Sequence, residues 1–539
     1  MADLGPQRRD RLATWLRRAA PLAIVMAVAI AVGGRSLGRR EIDGLDEAQN
    51  VMGGMFFVDV LHDLPVVHPL AYGFEYYAQY PALGFAFWPP FFHLVEGLFF
   101  AVFGFDLVTG RVCLLAFAML LAATVYLAAR PQTGPVAGVL ATALVLATPL
   151  VADLQNTMLL EIPTLAMAFL AIVLYRGVAR RGRWRGGWEV LLIAIVAAAA
   201  VYTKQTIVFI FPAMLVDLWF NQRGLLRDWR TWCCAGLFVL LCVPLALFTL
   251  KYGAANVAQS FGNLGNIFVP GHKVSPRWSV AGWTYYGKEL FTVVNPVITL
   301  AALVGLVYGF FHRPLLRAHA LWIGMIVCWY LLFSLFDNKQ PRFVAFVAPA
   351  VVILAASFAT TVAGDSKRLR AAVCGGLTLL LAFQAAAVAR QRYEGYSGMD
   401  PIVRELFDDL FQNYGEGNIA YFGNYRQMFV PFVRHYDPQR QVYVLQGDDI
   451  TGEAGGLEEA CHDYRVRWIL VDLPPQGGLV DPEIERLLKS EACFRLRQRE
   501  TFGTPRDRVP LLIYEYVDPV ADQMKVVPLR SETLNIYVR

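Results

Sequence analysis

The chain has 539 residues, of which 56% are hydrophobic and only 17% are charged, and its mean hydropathy is +0.44. A soluble protein of this size carries about a quarter charged residues, so the composition excludes an ordinary soluble enzyme. It predicts a polytopic membrane protein with a soluble portion attached. The formal net charge is only +5, which gives no indication of a nucleic-acid partner.

Apolar windows of about 20 residues predict about eleven transmembrane helices. The first window follows basic residues but precedes no small-residue cleavage site, which indicates a retained helix rather than a signal peptide. We place the spans near residues 19–36, 107–129, 134–151, 158–176, 188–203, 205–220, 232–250, 291–311, 317–336, 342–363 and 370–389.

A first loop, about residues 37–106, separates the first two predicted spans. It opens with GLDEAQNVMGGM at residues 44–55, which carries the adjacent acids Asp46 and Glu47. The segment WPPFFHLVEGLFFAVFG at residues 88–104 is apolar but short, and it begins with two prolines. This pattern predicts an interfacial helix along the membrane surface, with a twelfth span as the alternative.

The placement of basic residues predicts the orientation, because cytoplasmic loops carry an excess of lysine and arginine. The N-terminal arm is basic, and so is the loop RGVARRGRWRGG at residues 176–187. The first loop has no lysine or arginine between Glu41 and Trp88. The sequence therefore predicts a cytoplasmic N-terminus, with the first loop and the C-terminal segment on the outer side.

The C-terminal segment, from about residue 391, is predicted to form a soluble α/β domain. A helix is expected at 401–414 and strands at 418–423, 441–446, 467–473 and 509–517, with helices near 425–435 and 456–464, as in a βαβ sheet. We therefore predict a transmembrane catalytic domain, 1–390, and a soluble periplasmic domain, 391–539. Cys461 and Cys493 either form a disulfide in an oxidising compartment or remain thiols.

With this topology, carboxylates and cations meet at the outer membrane boundary. This arrangement suits a reaction between an anionic lipid headgroup and a nucleophile that needs a base. The alternatives are that the cations only extend to the interface and that the acids only begin helices. The residues concerned are Asp46, Glu47, Asp153, Glu161, Lys204, Lys339 and Arg342.

Histidines and tyrosines of the first loop leave two further alternatives open. His62, His68 and His93, with Glu96, raise the alternative of a metal site, although their spacing matches no ligand motif. The tyrosines form either an interfacial aromatic belt or a sugar-binding platform; they are Tyr72, Tyr76, Tyr77 and Tyr80.

A set of short motifs, in this order and on one predicted side of the membrane, covers roughly residues 20–390. They are Asp46-Glu47-Ala48, Pro89-Pro90, Phe103-Gly104, Arg111, Thr203-Lys204 and Pro341-Arg342-Phe343. The set resembles the GT-C glycosyltransferases of the dolichyl-phosphate-mannose protein mannosyltransferase and lipid A aminoarabinose transferase family (glycosyltransferase family 39 and its relatives). The chain departs from that pattern at Glu161-Ile162-Pro163, where the family has an Asp-Pro-Leu-like sequence.

The resemblance implies a GT-C type fold and an integral membrane glycosyltransferase of a bacterial inner membrane. An archaeal plasma membrane, or an ER membrane with the outer side as its lumen, is the alternative. The donor would be a polyprenyl-phosphate-linked sugar, and the acceptor would be a lipid, a glycan or a protein on the periplasmic face. A single, inverting displacement is implied. This reaction requires no metal ion; a site that uses a divalent metal ion is the alternative. A transporter or flippase of a lipid-linked anionic glycan is the alternative function.

The same resemblance assigns roles to individual residues. Asp46 is predicted as the general base, and Glu47 as its orienter or as an acceptor-binding partner. The donor phosphate would be held by Lys204 and Arg342. Acceptor or sugar hydroxyls would be bound by Glu161, Asp153 and Tyr80.

Overall fold

A computed structural model of the chain describes residues 6–84, 87–253, 256–257, 260, 273–274, 276–393, 395–473, 493–531 and 534–537. Contacts divide the chain into two compact units, which we describe separately. The helical unit comprises Met1–Leu37 and Arg111–Arg392, and the mixed unit comprises Gly38–Gly110 and Tyr393–Arg539. The functional division into domains 1–390 and 391–539 remains a prediction.

The described residues form helices over most of their length, together with short strands. The helices are α1 (Pro6–Gly33), α2 (Leu45–Asp63), α3 (Pro69–Gln79), α4 (Phe91–Phe103), α5 (Leu107–Thr133), α6 (Pro135–Leu146), α7 (Pro149–Leu154), α8 (Glu161–Arg181), α9 (Gly187–Val201), α10 (Ile210–Asn221), α11 (Arg223–Leu226), α12 (Trp229–Tyr252), α13 (Val280–Val293), α14 (Pro296–Phe311), α15 (Arg313–Ser334), α16 (Ala348–Ala363), α17 (Lys367–Arg390), α18 (Met399–Glu405), α19 (Phe411–Tyr414), α20 (Arg426–Tyr436), α21 (Gly447–Ala454) and α22 (Leu457–Asp463). The strands are β1 (Lys273–Val274), β2 (Asn338–Lys339), β3 (Asn418–Phe422), β4 (Val444–Gln446), β5 (Val466–Asp472), β6 (Phe494–Gly503), β7 (Arg508–Tyr516), β8 (Pro528–Ser531) and β9 (Leu534–Tyr537). Shorter 3-10 helices lie at Gly34–Ser36, Gln205–Phe209 and Pro341–Phe346, and Leu406–Leu410 is a π-helical turn.

Every apolar window predicted as a span coincides with helical structure. Six helical segments among the described residues are long and apolar enough to cross a membrane: Ala19–Ser36, Leu107–Thr133, Glu161–Arg181, Trp229–Tyr252, Arg313–Ser334 and Lys367–Arg390. Shorter apolar segments of 10–17 residues account for the other windows. The prediction of a polytopic helical membrane protein is confirmed, while the number of crossings remains a prediction.

Burial differs sharply between the long helices of the helical unit. In α8, 67% of the most apolar window is buried inside the protein, whereas in α12 and α17 only 11% is buried. Apolar side chains that are not buried in protein need a lipid environment, so α12 and α17 present lipid-facing surfaces. Helix α8, which begins at Glu161, lies in the interior of the helical unit.

Close helix packing in this unit depends on small residues. Gly324 of α15 faces Ala213 of α10, and a methyl group added at Gly324 would lie 3.2 Å from the Ala213 Cα atom. Small residues let two helix backbones approach closely where no hydrophobic effect drives association in lipid. At Gly324 and Ala213, the backbones of α10 and α15 therefore lie close together.

A five-stranded sheet with the order β4-β3-β5-β7-β6 forms part of the mixed unit. Strands β3, β4 and β5 are parallel, and β7 and β6 add to the edge in antiparallel register. The predicted C-terminal α/β domain with a βαβ arrangement is confirmed, and β6 is an additional strand that we did not predict. Cys461 and Cys493 both lie in the buried core of this sheet region.

The first loop is also largely helical and contributes α2, α3 and α4 to the mixed unit. Ile42 pairs with Tyr396 in an isolated antiparallel bridge, and α2 packs against both α4 and α20. The helix predicted at 88–104 is therefore present as α4. Its location along a membrane surface remains a prediction.

Helices α2 and α4 cross at glycines. A methyl group added at Gly54 would lie 2.7 Å from Glu96 Oε2, and one added at Gly97 would lie 2.8 Å from the Gly54 carbonyl oxygen. This close approach encloses Glu96, which is 0% exposed. Neither carboxylate oxygen of Glu96 has a hydrogen-bond partner among the described residues, and burial together with the nearby Glu47 carboxylate raises the pKa of Glu96 well above its ordinary value.

We expect the variant Glu96→Gln to gain stability relative to the wild type as pH rises from about 4.5 toward neutrality. The folded protein holds the Glu96 proton to higher pH than the unfolded chain does. The free energy of unfolding of the wild type therefore falls as pH rises from the ordinary glutamate pKa to the raised pKa of the folded protein. The slope is at most about 1.4 kcal/mol per pH unit. Glutamine has a similar shape and does not titrate. Thermal unfolding of both proteins in detergent from pH 4.5 to 8 measures the difference.

The matched control is Glu416→Gln, which alters an exposed glutamate of the same unit. Its difference in melting temperature from the wild type should stay constant over the same pH range. A constant difference for Glu96→Gln as well would show that Glu96 is ionised in the folded protein.

Candidate active site

Three charged side chains meet inside the helical unit. Lys204 Nζ donates to Glu161 Oε1 at 2.6 Å, and both side chains are almost completely buried, at 5% and 1% exposed. Arg342 Nε lies 3.8 Å from the same Glu161 oxygen and donates to Gln340 Oε1. The structure thus brings together three of the predicted site residues, which are far apart in sequence.

Local sequence explains how each of the three is presented. Glu161 is the first residue of α8, where an acid is favoured by the helix dipole. Lys204 is extended and directly precedes the 3-10 helix Gln205–Phe209. Arg342 follows Pro341, which begins the 3-10 helix Pro341–Phe346, since the fixed φ of proline suits the first position of a helix. Each side chain therefore projects from a helix start.

Aromatic rings surround the two cations of this cluster. Lys204 Nζ lies 5.7 Å from the Phe343 ring centroid and 5.8 Å from that of Phe346. Arg342 Cζ lies 6.0 Å from the Phe343 centroid. Aromatic faces stabilise cations where water is excluded. With one carboxylate and two cations, the Glu161–Lys204–Arg342 cluster has a net charge of +1, which suits a bound anion such as a phosphate.

Asn156 holds the turn that precedes Glu161. Its side-chain Oδ1 accepts from the Ser36 backbone N–H at 3.0 Å, and its Nδ2 donates to the Val32 carbonyl at 2.9 Å. Arg111, buried in α5, donates to the Asn156 carbonyl at 2.8 Å. The motif residue Arg111 therefore contacts the backbone of the turn that precedes α8.

Asp153, predicted to bind acceptor or sugar, lies on the short helix α7 and is half-buried. Helices α7 and α8 both contact the 3-10 helix that carries Arg342. Asp153 thus belongs to the same region of the helical unit as the Glu161–Lys204–Arg342 cluster. Its role in binding stays a prediction.

The predicted general base, Asp46, belongs to the mixed unit. It lies in the first turn of α2 and is partly exposed, whereas the adjacent Glu47 is only 2% exposed. Glu47 Oε2 accepts from the Asp43 backbone N–H at 2.5 Å, so the chain folds back onto the beginning of α2. Of the two neighbouring acids, Asp46 is the one that solvent or substrate can reach.

Tyr80, also predicted to bind sugar, is completely buried in the mixed unit. Its hydroxyl donates to Asp437 Oδ2 at 3.1 Å, and burial is the main cause of its raised pKa. The structure therefore shows a buried contact for Tyr80 with the segment after α20. A sugar-binding role for it stays a prediction.

Further ion pairs that the sequence did not indicate join α2 to the C-terminal segment of the same unit. Arg434 binds Asp59 through two parallel hydrogen bonds of 2.9 and 2.6 Å, and the Tyr76 hydroxyl donates to Asp59 at 2.7 Å. Arg440 hydrogen-bonds to Asp63 and holds the pKa of that carboxyl well below its usual range. Bidentate arginine pairs of this kind are strong and specific, so α2, which carries Asp46 in its first turn, is fixed to α20.

The histidines of the first loop do not form a ligand cluster among the described residues. His62 is exposed and pairs with Asp63, whereas His93 is 5% exposed and burial lowers its pKa to about 4. Within the described part of the chain, the group of three potential ligands with atoms within 4.8 Å is Glu458, Cys493 and Asp518, beside the sheet.

Known proteins resemble this chain in sequence over part of its length and in structure over most of it. Residues 88–248 match the family model of dolichyl-phosphate-mannose-protein mannosyltransferases. No curated protein sequence matches the chain.

Solved structures resemble the chain over nearly its whole length. Apo ArnT from Cupriavidus metallidurans has a TM-score of 0.58 and 15% identity, covering 92% of this chain and 98% of its own. The same protein bound to undecaprenyl phosphate gives a TM-score of 0.54 and 14% identity, covering 93% and 99%. An Archaeoglobus fulgidus oligosaccharyltransferase tethered to an acceptor peptide gives 0.52 and 10%, covering 85% of this chain and 69% of its own.

At these identities the structural likeness establishes the fold, and the family match adds a sequence relationship over α4 to α12. The fold is thus that of a polytopic membrane protein similar to ArnT and to the oligosaccharyltransferase. The resemblance predicted from the sequence motifs is confirmed in that the chain has the fold of these glycosyltransferase structures and that residues 88–248 are similar to the mannosyltransferase family.

Proposed function

We propose that this protein transfers a sugar from a polyprenyl-phosphate-linked donor to a nucleophile of an acceptor. The observation that carries the proposal is the buried Glu161–Lys204–Arg342 cluster, whose net positive charge suits a lipid phosphate. The cluster occurs on a fold shared with ArnT, whose structure has been solved with undecaprenyl phosphate bound. A lipid phosphate is therefore the ligand that best fits both the charge and the fold.

In the proposed reaction, an acceptor hydroxyl attacks the anomeric carbon of the donor sugar. A new bond forms between the acceptor oxygen and that carbon, while the bond from carbon to phosphate oxygen breaks. The phosphate leaves as polyprenyl phosphate with the bonding electron pair, and the acceptor proton passes to a carboxylate. A phosphate is already a stable anion, so it needs cations rather than a general acid. The displacement inverts the anomeric configuration.

We assign the base to Asp46 because it is the accessible acid of the pair, and Glu47 to orienting it or binding the acceptor. Lys204 and Arg342 hold the phosphate. Support for these roles comes from the exposure of Asp46 and from the paired burial of Lys204 with Glu161. Asp153, Glu161 and Tyr80 are the proposed partners of acceptor or sugar hydroxyls.

We further propose that the reaction takes place on the periplasmic face of a bacterial inner membrane. The support is the absence of lysine and arginine between Glu41 and Trp88 and the basic loop at 176–187, since this asymmetry follows the positive-inside rule. The N-terminus would then be cytoplasmic. The scheme itself requires no metal ion.

Radiolabelled transfer tests the proposed function. Purified protein in detergent is mixed with membrane extract as acceptor and with each member of a panel of polyprenyl-phosphate sugars. Label should move from one donor into a product, which identifies the acceptor, and polyprenyl phosphate should accumulate in equal amount. Flux of intact donor across proteoliposomes with no label transferred would instead support a flippase and reject the enzyme.

A further inference from the structure

Three arginines at one end of the helical unit have no role in the transfer proposed above. Arg176 and Arg180 are neighbours one helical turn apart on α8, and Arg130 lies near the end of α5. Arg180 interacts electrostatically with both of the others. Helix α8 begins at Glu161 and rises about 1.5 Å per residue, so this arginine cluster lies more than about 20 Å along α8 from the candidate active site.

Arg176, the least exposed of the three, lies between three helices. Its Nη1 donates to the Ala128 carbonyl oxygen of α5 at 2.6 Å, and its Cζ lies 5.4 Å from the ring centroid of Trp322 on α15. Ala128 is two residues before Arg130, so this contact brings the ends of α5 and α8 together. An aromatic face stabilises a cation, but neither contact neutralises the charge of Arg176.

The charge of the arginine cluster is not balanced by acids. Among the described residues, none of its three guanidinium groups forms an ion pair with a carboxylate. Asp217 of α10 interacts electrostatically with Arg176, and its own hydrogen bonds come from neutral groups, the Tyr175 hydroxyl and the Asn221 amide. Three arginines and this one aspartate leave a net charge of +2.

Exposed tryptophans indicate that this end of the unit lies at a membrane interface. Buried side chains pack the end of α8 against the beginning of α9, the end of α10 and α11, and Cys234 near the beginning of α12 packs against them. Tryptophans of these segments, each more than half exposed, are Trp188, Trp219, Trp229 and Trp232. Tryptophan is enriched at the level of the lipid headgroups, so lipid headgroups lie beside the arginine cluster.

We propose that the arginine cluster binds the headgroup of an anionic phospholipid. The planar fork of guanidinium N–H donors matches a phosphate group, and basic pockets between transmembrane helices bind anionic headgroups. In a zwitterionic lipid the ammonium group offsets the phosphate, so a site with unbalanced positive charge prefers a lipid with a net negative charge. With the orientation proposed above, this lipid belongs to the cytoplasmic leaflet.

The alternative is that these arginines only set the orientation of the chain, under the positive-inside rule. That role requires basic residues near the ends of the spans but no contact between them and no selectivity between lipids. Contact of Arg176 with α5 and α15 at once favours a built site, and lipid selectivity distinguishes the two cases.

Native mass spectrometry of the full-length protein in detergent tests the proposal, with phosphatidylglycerol and phosphatidylcholine of identical acyl chains as probes. Phosphatidylglycerol should bind about tenfold more tightly, as expected from one charge-assisted hydrogen bond. The double variant Arg130→Gln with Arg180→Gln should bind both lipids equally, because the remaining Arg176 is offset by Asp217. Arg176 is left in place because its contacts with α5 and α15 also support the fold.

The matched control, Arg368→Gln with Arg370→Gln, removes two exposed arginines from the beginning of α17 in the same unit and should keep the preference. Arg130 and Arg180 are also exposed, so their double variant should fold, which a melting curve checks. If it does not fold, Arg180→Gln alone replaces it and should lose about threefold of the preference.

A preference for phosphatidylglycerol that is lost in the cluster variant and kept in the control would support the proposal. Equal binding of the two lipids by the wild type, a preference that survives in the cluster variant, or an equal loss in the control would each overturn it. Neither donor nor acceptor is present, so the result does not depend on sugar transfer. Failure of this proposal and failure of the radiolabel assay are therefore distinguishable.

Discussion

Asp46→Asn is expected to lower sugar transfer by about 100- to 10,000-fold, the usual loss when a general base is removed. An amide cannot take the proton of an attacking hydroxyl, but it keeps the size and much of the polarity of the carboxylate. Asp46 is only partly buried, in the first turn of α2, so the fold should survive the change. Single-turnover transfer of radiolabel, with the successful donor from the panel, measures the loss.

Two measurements separate a lost base from a lost binding site. Binding of polyprenyl phosphate should be the same in Asp46→Asn and the wild type, because the proposed phosphate ligands are Lys204 and Arg342. The control Asp522→Asn changes an exposed aspartate of the same unit and should transfer normally. Normal transfer by Asp46→Asn would remove Asp46 as the base and make Glu47 the next candidate.

The apolar spans could be predicted from the sequence because a membrane helix is defined by a local property, about 20 apolar residues in a row. Departures from the prediction occur where the chain bends locally. The window 134–151 is divided between α6 and α7 at Thr148-Pro149, and the window 342–363 begins as the 3-10 helix Pro341–Phe346. Proline fixes φ and removes a donor, so it ends or begins a helix inside an apolar run.

Strand β6 was not predicted because its composition differs from that of a buried strand. Its sequence FRLRQRETFG carries three arginines and a glutamate, and most of its residues are exposed or only partly buried. It lies at the edge of the sheet, where charged side chains protect an unpaired edge from further pairing. A strand of this kind is specified by its partner β7 rather than by its own apolar pattern.

The candidate site could be predicted from the sequence only in part, because motifs identify single residues and not their tertiary contacts. Glu161, Lys204 and Arg342 each stand out in the sequence, as charges beside apolar spans or in family-like motifs, and the structure places them together. The pair Asp59–Arg434 spans 375 residues of sequence, and neither residue stands out from its neighbours. Only the tertiary structure shows that α2, the helix that carries Asp46, is fixed by the C-terminal segment.

Lys204→Met is expected to destroy transfer and to lower the free energy of unfolding by up to about 3–5 kcal/mol, because the buried Glu161 would lose its hydrogen-bonded partner and keep only the 3.8 Å contact with Arg342. The 2.6 Å hydrogen bond and near-complete burial of both side chains exclude the solvent screening that makes surface pairs weak. Binding of polyprenyl phosphate should also fall, because Lys204 is a proposed phosphate ligand. Thermal unfolding, lipid binding and transfer are measured on the same preparation.

A double variant separates the effect of Lys204 on stability from its effect on catalysis. Glu161→Gln combined with Lys204→Met removes both charges, and loss of a complete buried pair is often neutral for stability. The double variant should therefore recover much of the melting temperature and none of the phosphate binding or transfer. Glu189→Gln breaks another pair of the helical unit, with Arg181, and should reduce stability while the folded protein keeps its transfer rate. Recovery of transfer along with stability in the double variant would mean that Lys204 supports the fold and does not hold the donor phosphate.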